Sequence, residues 1–181
     1  MRAVRLGVVA VMVAAGCLSV GPAAAAGGPY CGQVWGSTAK QAPGGGISIS
    51  GVRAGAESCY DRLVIDVNGP GAGYSIQYVS QVLTQGQGTP LSLRGGAAIS
   101  VTVYGQTYDA RTGRPTYKPS DPASVVNVSG FRTFRQVAYG GSFEGETTFG
   151  VGVLARLPFR VFVLAGPGSS SRVVVDVGHQ W

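Results

Sequence analysis

The chain has 181 residues, of which 45% are hydrophobic and only 12% charged, with 30 glycines, 10 prolines and a formal net charge of +6. The basic residues are spread along the chain, not gathered into the stripe with stacking aromatics that nucleic-acid binding requires. A single histidine and three cysteines argue against a zinc set or a Ser–His or Cys–His catalytic arrangement, and no cofactor-binding pattern is present.

The first 26 residues read as an export leader. Arg2 and Arg5 form a short positive region, Leu6–Val20 is an apolar run, and Pro22–Ala26 supplies small residues for cleavage after Ala26. The run is shorter than the about 20 residues a spanning helix needs, so no transmembrane segment is expected in the mature chain. The alternative is a lipoprotein anchored at Cys17, since Ala14-Ala15-Gly16-Cys17 resembles a lipobox, although Ala14 stands where Leu is usual. Loss of the leader lowers the net charge of +6 by two. The remaining mild positive charge either attracts anionic wall polymers or simply keeps the chain soluble.

Residues 27–181 then hold two cysteines, Cys31 and Cys59. An even pair in an exported chain is expected to form a disulfide, worth about 3–4 kcal/mol for a loop of this length. Residues 27–46 read as a Gly/Pro-rich arm of little regular structure, tied to the body by that bond, with Trp35 as a packing residue. Residues 47–181 form the domain proper.

From Ile47 the pattern has period two. Leu63, Ile65 and Val67 alternate with Arg62, Val64, Asp66 and Asn68. Asn68-Gly69-Pro70-Gly71 is a turn, and Tyr74–Val79 follows, so the two runs are expected to form a hairpin. Leu91 and Leu93 suggest a short strand, and Ile99, Val101 and Val103 mark another. Gly105–Gly130 is the longest irregular stretch of the body. Phe131–Tyr139 reads as a strand broken at Gly140-Gly141, and Thr147–Leu154, Phe159–Leu164 and Arg172–Val177 alternate again. No helical period persists after the leader. The expected fold is all-β, a sandwich or barrel of seven to nine short strands.

Two patterns bear on function. Arg62-x-Val64-x-Asp66 is echoed by Arg172-x-Val174-x-Asp176. One reading is a pseudo-symmetric pair of strands in two sheets, each Arg bridging the Asp on its own strand face; the other is ordinary half-buried strand composition. Glu144 and Glu146, two apart on one strand, would share a face at about 7 Å. Such a pair could hydrolyse wall glycan; the alternative is a solvated acidic edge beside a glycine turn. A binding site would draw instead on Tyr104, Tyr108, Arg111, Arg114 and Tyr117, with tyrosine faces for sugars and arginine forks for carboxylates.

Tyr60–Val67, Gly73-Tyr74 with Tyr78-Val79, Gly141–Gly145, Leu157–Leu164 and Ser171–Val177 together resemble the AMIN-like domain of exported actinobacterial proteins, over Ala56–Trp181. The resemblance implies a two-sheet β-sandwich. AMIN domains elsewhere are attached to wall amidases and secretins and localise them by contacting peptidoglycan. No catalytic residue carries over, and no attached catalytic or pore domain is expected. The expectation is a secreted, non-enzymatic, monomeric module that associates with peptidoglycan or another envelope polymer. A wall-glycan hydrolase using Glu144 and Glu146 and a secreted module that binds or inhibits a protein partner are the alternatives.

Overall fold

The computed structural model describes residues 28–181. The expected leader, with Cys17, lies outside the described residues. Among the described residues, nine strands fall into two antiparallel sheets. They are β1 (Lys40–Ala42), β2 (Ser48–Ala56), β3 (Tyr60–Asn68), β4 (Tyr74–Val79), β5 (Ala97–Tyr104), β6 (Phe134–Phe143), β7 (Glu146–Val153), β8 (Phe159–Ala165) and β9 (Ser171–Gly178). The five-stranded sheet runs β1-β4-β5-β7-β6 and the four-stranded sheet β2-β3-β9-β8. A 3-10 turn, Tyr30–Gly32, precedes them. The all-β sandwich and its strand number agree with the sequence pattern.

Each strand's inward parity supplies the core. Leu63, Ile65 and Val67 of β3 and Val173, Val175 and Val177 of β9 face Ile76, Ile99, Val101, Val103, Phe149 and Val151 of the other sheet, all buried. Cross-strand neighbours on one face hold such sheets together as pairs: Ile99 lies opposite Val151, and Val101 opposite Phe149.

Several local expectations are corrected. β3 and β4 are not a hairpin: β3 pairs with β2 and β9, and the Asn68–Gly71 turn carries the chain from one sheet to the other. The echoed strands β3 and β9 are neighbours in one sheet, not counterparts in two. β6 continues through Gly140-Gly141 by a bulge between Tyr139 and Ser142. The arm contributes β1, which pairs with β4 at the sheet edge. Leu91 and Leu93 form no strand; they lie over β7, whose residues are buried on both faces from Thr147 to Val153.

That cover explains the glycines of β7. A Cβ on Gly150 would stand 2.9 Å from the Leu93 side chain, and one on Gly152 would overlap the Arg94 carbonyl oxygen. Gly152→Ala should therefore destabilise the fold by about 1–3 kcal/mol through overpacking, read by urea unfolding. A loss below a few tenths would show that the 91–96 segment yields freely.

Candidate functional site

The outer face of the four-stranded sheet carries the echoed residues. Antiparallel pairing sets Arg62 opposite Asp176, Val64 opposite Val174 and Asp66 opposite Arg172. The two motifs are thus related by a local two-fold axis between Val64 and Val174. The ion pairs expected within each strand are instead made between strands. Arg62 donates Nε–H to Asp176 Oδ1 at 2.6 Å and Nη2–H to Oδ2 at 2.9 Å, and Arg160 of β8 donates Nε–H to Oδ2 at 2.8 Å. Asp176 is fully buried beneath the two guanidinium groups.

The symmetry is not kept in detail. Asp66 pairs with Arg53 of β2, not with Arg172. Arg172 turns to the Ala165 carbonyl at 2.8 Å, and its buried Nε has no partner among the described residues. The β2 position opposite Asp66 is Gly51, whereas the β8 position opposite Asp176 is Arg160. One half of the face therefore has a glycine where the other carries a built cation.

Aromatic rings enclose that cation. The Arg160 guanidinium lies 4.5 Å from the Trp35 ring centroid, 5.2 Å from Phe162 and 5.5 Å from Tyr60. Arg62 lies 5.1 Å from Tyr60 and 5.6 Å from Phe162, and its Nη2 donates to the Tyr60 hydroxyl at 3.2 Å. Each contact of this kind contributes about 0.5–1 kcal/mol at an exposed site. The hydrogen bonds to Asp176 raise the Arg62 pKa above its ordinary value despite partial burial. Arg62 Nη1 and both Arg160 Nη groups donate to nothing among the described residues. A hollow of 290 Å³ beside them is lined by Trp35, Tyr60, Glu57, Arg160 and the disulfide. The face can thus offer fixed guanidinium edges between stacking surfaces, a fit for carboxylate-bearing polar ligands.

The arm reaches this face because Cys31 is bonded to Cys59, and Gln33 Nε2 donates to the Cys59 carbonyl at 2.9 Å. Beneath it lies a buried polar cluster. Asp61 accepts from the backbone N–H of Thr133 at 2.6 Å and of Phe134 at 2.8 Å, and meets His179 Nε2 at 3.1 Å. His179 is thereby a structural tie at the end of the sandwich.

The other sequence candidates separate. Glu144 and Gly145, with φ of 49° and 82°, form the two-residue turn between β6 and β7, where Phe143 pairs with Glu146. The two glutamates do not share a strand face, which removes the geometry of a catalytic pair. Tyr104 is half-buried at the end of β5, against Gly73. Arg111 and Arg114 are exposed in a tight loop pinned by Asp109, whose carboxylate accepts from two backbone N–H groups and is held below its ordinary pKa by them, the Thr112 N–H foremost. Tyr108 and Tyr117 do come together. With Tyr139, Pro115, Pro119 and Pro122 they line an apolar hollow of 310 Å³ that excludes both arginines.

Tyr117 packs edge-on against Tyr139 and Phe149, and burial, with a smaller effect of Tyr139, pushes its phenol up to about 12. The folded chain keeps that proton after the unfolded chain, with an ordinary value of about 10, has lost it. Stability should fall as pH rises from about 10 towards 12. Alkaline unfolding of Tyr117→Phe should lack that part of the slope; an unchanged slope would remove Tyr117 as its source.

Sequence reading missed Trp35, Tyr60, Arg160 and Phe162 as a set. The available signal was parity: Arg160 and Phe162 oppose the inward Phe159 and Val161, so an outward aromatic sits beside an outward cation.

Fold and site together define a two-sheet β module with an arginine–aromatic outer face. The chain belongs to the AMIN-like domain family, whose pattern matches residues 47–179. The match covers Tyr60, Arg62, Arg160, Phe162 and Asp176, while Cys31 and Trp35 belong to the arm before it. No curated protein and no solved structure matches the chain. Among the described residues, no helix is long and apolar enough to cross a membrane.

Proposed function

We propose that the chain is an exported, non-enzymatic module that associates with peptidoglycan through the outer face of its four-stranded sheet. Membership of the AMIN-like family supports an envelope role. The leader and the disulfide support export, with association at the cell wall or, if Cys17 is lipidated, anchoring at the membrane. The observation that carries the reading is the fixed pair Arg62 and Arg160, clamped on buried Asp176 between Trp35, Tyr60 and Phe162. Wall peptides present carboxylates to such guanidinium edges, and sugar faces stack on the rings.

Residues 27–181 should sediment with purified sacculi. Arg160→Gln and Trp35→Ala should each weaken binding. For Arg160 the expected factor is about ten to a hundred, because a charge-assisted hydrogen bond contributes about 1.5–3 kcal/mol. Arg62 still holds Asp176 in Arg160→Gln, so the fold is retained. Equal binding by these variants, or none by the parent, overturns the assignment. Released muropeptides would overturn the non-enzymatic reading. Tyr108→Ala in the same assay reports whether the Tyr108–Tyr117 hollow takes part.

A further inference from the structure

β8 forms one edge of the four-stranded sheet. Gly178 N–H donates to the Pro158 carbonyl and Gly166 N–H to the Ser170 carbonyl, so the even-numbered residues of β8 direct their backbone groups at β9. The odd-numbered residues direct theirs outward. Phe159 N–H is taken by the Gly36 carbonyl at 3.0 Å, and the Ala165 carbonyl accepts from Arg172. Val161 and Val163, between these, have no partner for their outward N–H and C=O among the described residues. Val163 and Leu164 expose 36% and 40% of their surface along the same edge, enough to form an apolar contact strip.

The other edges are closed or blunted in the ways natural sheets use against pairing. The 105–133 connection bonds along β6, through Val125 N–H to Val137 and Tyr139 N–H to Pro122. β1 is only three residues long. β2 carries a bulge after Ile49 and the exposed cation Arg53. β8 has neither bulge nor proline, and its only charge, Arg160, is turned to the outer face.

We propose that β8 pairs antiparallel with β8 of a second copy of this chain, with Val163 opposite Val163 and Val161 opposite Ala165. Odd residues then meet odd residues: Val163 pairs both ways with its counterpart, the Val161 carbonyl takes the Ala165 N–H, and the Val161 N–H shares the Ala165 carbonyl with Arg172. A slip by one residue would offer groups already bonded to β9. On the outer face Phe162 falls opposite Leu164 and Arg160 opposite Gly166, so apolar meets apolar and no like charges face each other. The strip is thus complementary to itself, which favours a two-fold dimer over a foreign strand. The axis stands perpendicular to the sheet, so both arginine–aromatic patches come to lie on one surface. Two linked patches hold a repetitive polymer more tightly than one. The dimer stands on its own observations, whether or not that polymer is peptidoglycan, and it replaces the monomer expected from sequence.

Sedimentation equilibrium of residues 27–181 should show a concentration-dependent dimer. Val163→Pro removes one outward N–H that the monomer does not use and should give a folded monomer. Val163→Lys and Val163→Asp, at an already exposed position, should each be monomeric, and an equal mixture of the two should recover the dimer. A parent that stays monomeric at every concentration overturns the proposal. So does a Val163→Lys variant that dimerises like the parent, or a mixture that remains monomeric.

Discussion

Replacing Asp61 by alanine should lower the unfolding free energy by about 3–5 kcal/mol, because it strands the buried groups that the carboxylate now satisfies. The side chain is fully buried. Three donors converge on it: the N–H groups of Thr133 and Phe134, at the start of β6, and Nε2 of His179, next to the last residue of β9. Without the carboxylate each buried donor loses its acceptor, at about 1–3 kcal/mol apiece. Asp61→Asn keeps the volume and one carbonyl oxygen but presents an NH₂ where a donor already points, so it should cost less than alanine and still be plainly destabilising. Urea unfolding of both variants measures this, and a double-mutant cycle with His179→Ala isolates the histidine's part. A loss under about 1 kcal/mol for the alanine variant would remove Asp61 as the tie between the two sheets.

The signal for that tie was present in the sequence. Asp61 has the same strand parity as Leu63, Ile65 and Val67, so it points into the core. A carboxylate at a core position requires donors, and none can be named from period two alone. They come from residues 72 and 73 positions away, and from 118 positions away for His179. The same limit separates what was legible in β3 and β9 from what was not. Alternation assigned Arg62 and Asp66 to one face correctly, because side-chain direction follows the local backbone. It could not supply the register that sets Arg62 against Asp176, which depends on strand pairing across the whole domain.

Turn chemistry shows a related limit. Asn68-Gly69-Pro70-Gly71 reverses the chain, as its residues require, but a turn does not choose the partner strand. In a sandwich the following strand can return in the same sheet or cross to the other, and here it crosses. Glu144-Gly145 is the opposite case. A residue followed by glycine between two alternating runs is a hairpin signal, and the positive φ of both residues realises it. Reading both glutamates as strand residues passed over that signal. The two β7 glycines under Leu91, Leu93 and Arg94 were also legible in principle, since glycine inside a strand marks close approach of another segment.

Opening the Cys31–Cys59 bond should lower stability by about 3–4 kcal/mol, because the sequence separation of 28 closes a loop whose freedom returns to the unfolded chain. The arm would keep some attachments. β1 still pairs with β4, Gly36 still accepts from Phe159, and the Lys40 ammonium still lies 4.1 Å from the Phe159 ring centroid, where burial lowers its pKa. These contacts follow Trp35 in the chain. The segment before it would depend on Gln33 alone. Trp35 would thus lose its tether on one side, and the stack over Arg160 would loosen while the sandwich stayed folded. Two measurements should therefore move together. The urea midpoint of the paired Cys31→Ser, Cys59→Ser variant should fall to that of the reduced parent, and its binding to sacculi should fall towards that of Trp35→Ala. A fall in stability with binding intact would leave the disulfide a purely structural clasp and place the binding face within residues 47–179 alone.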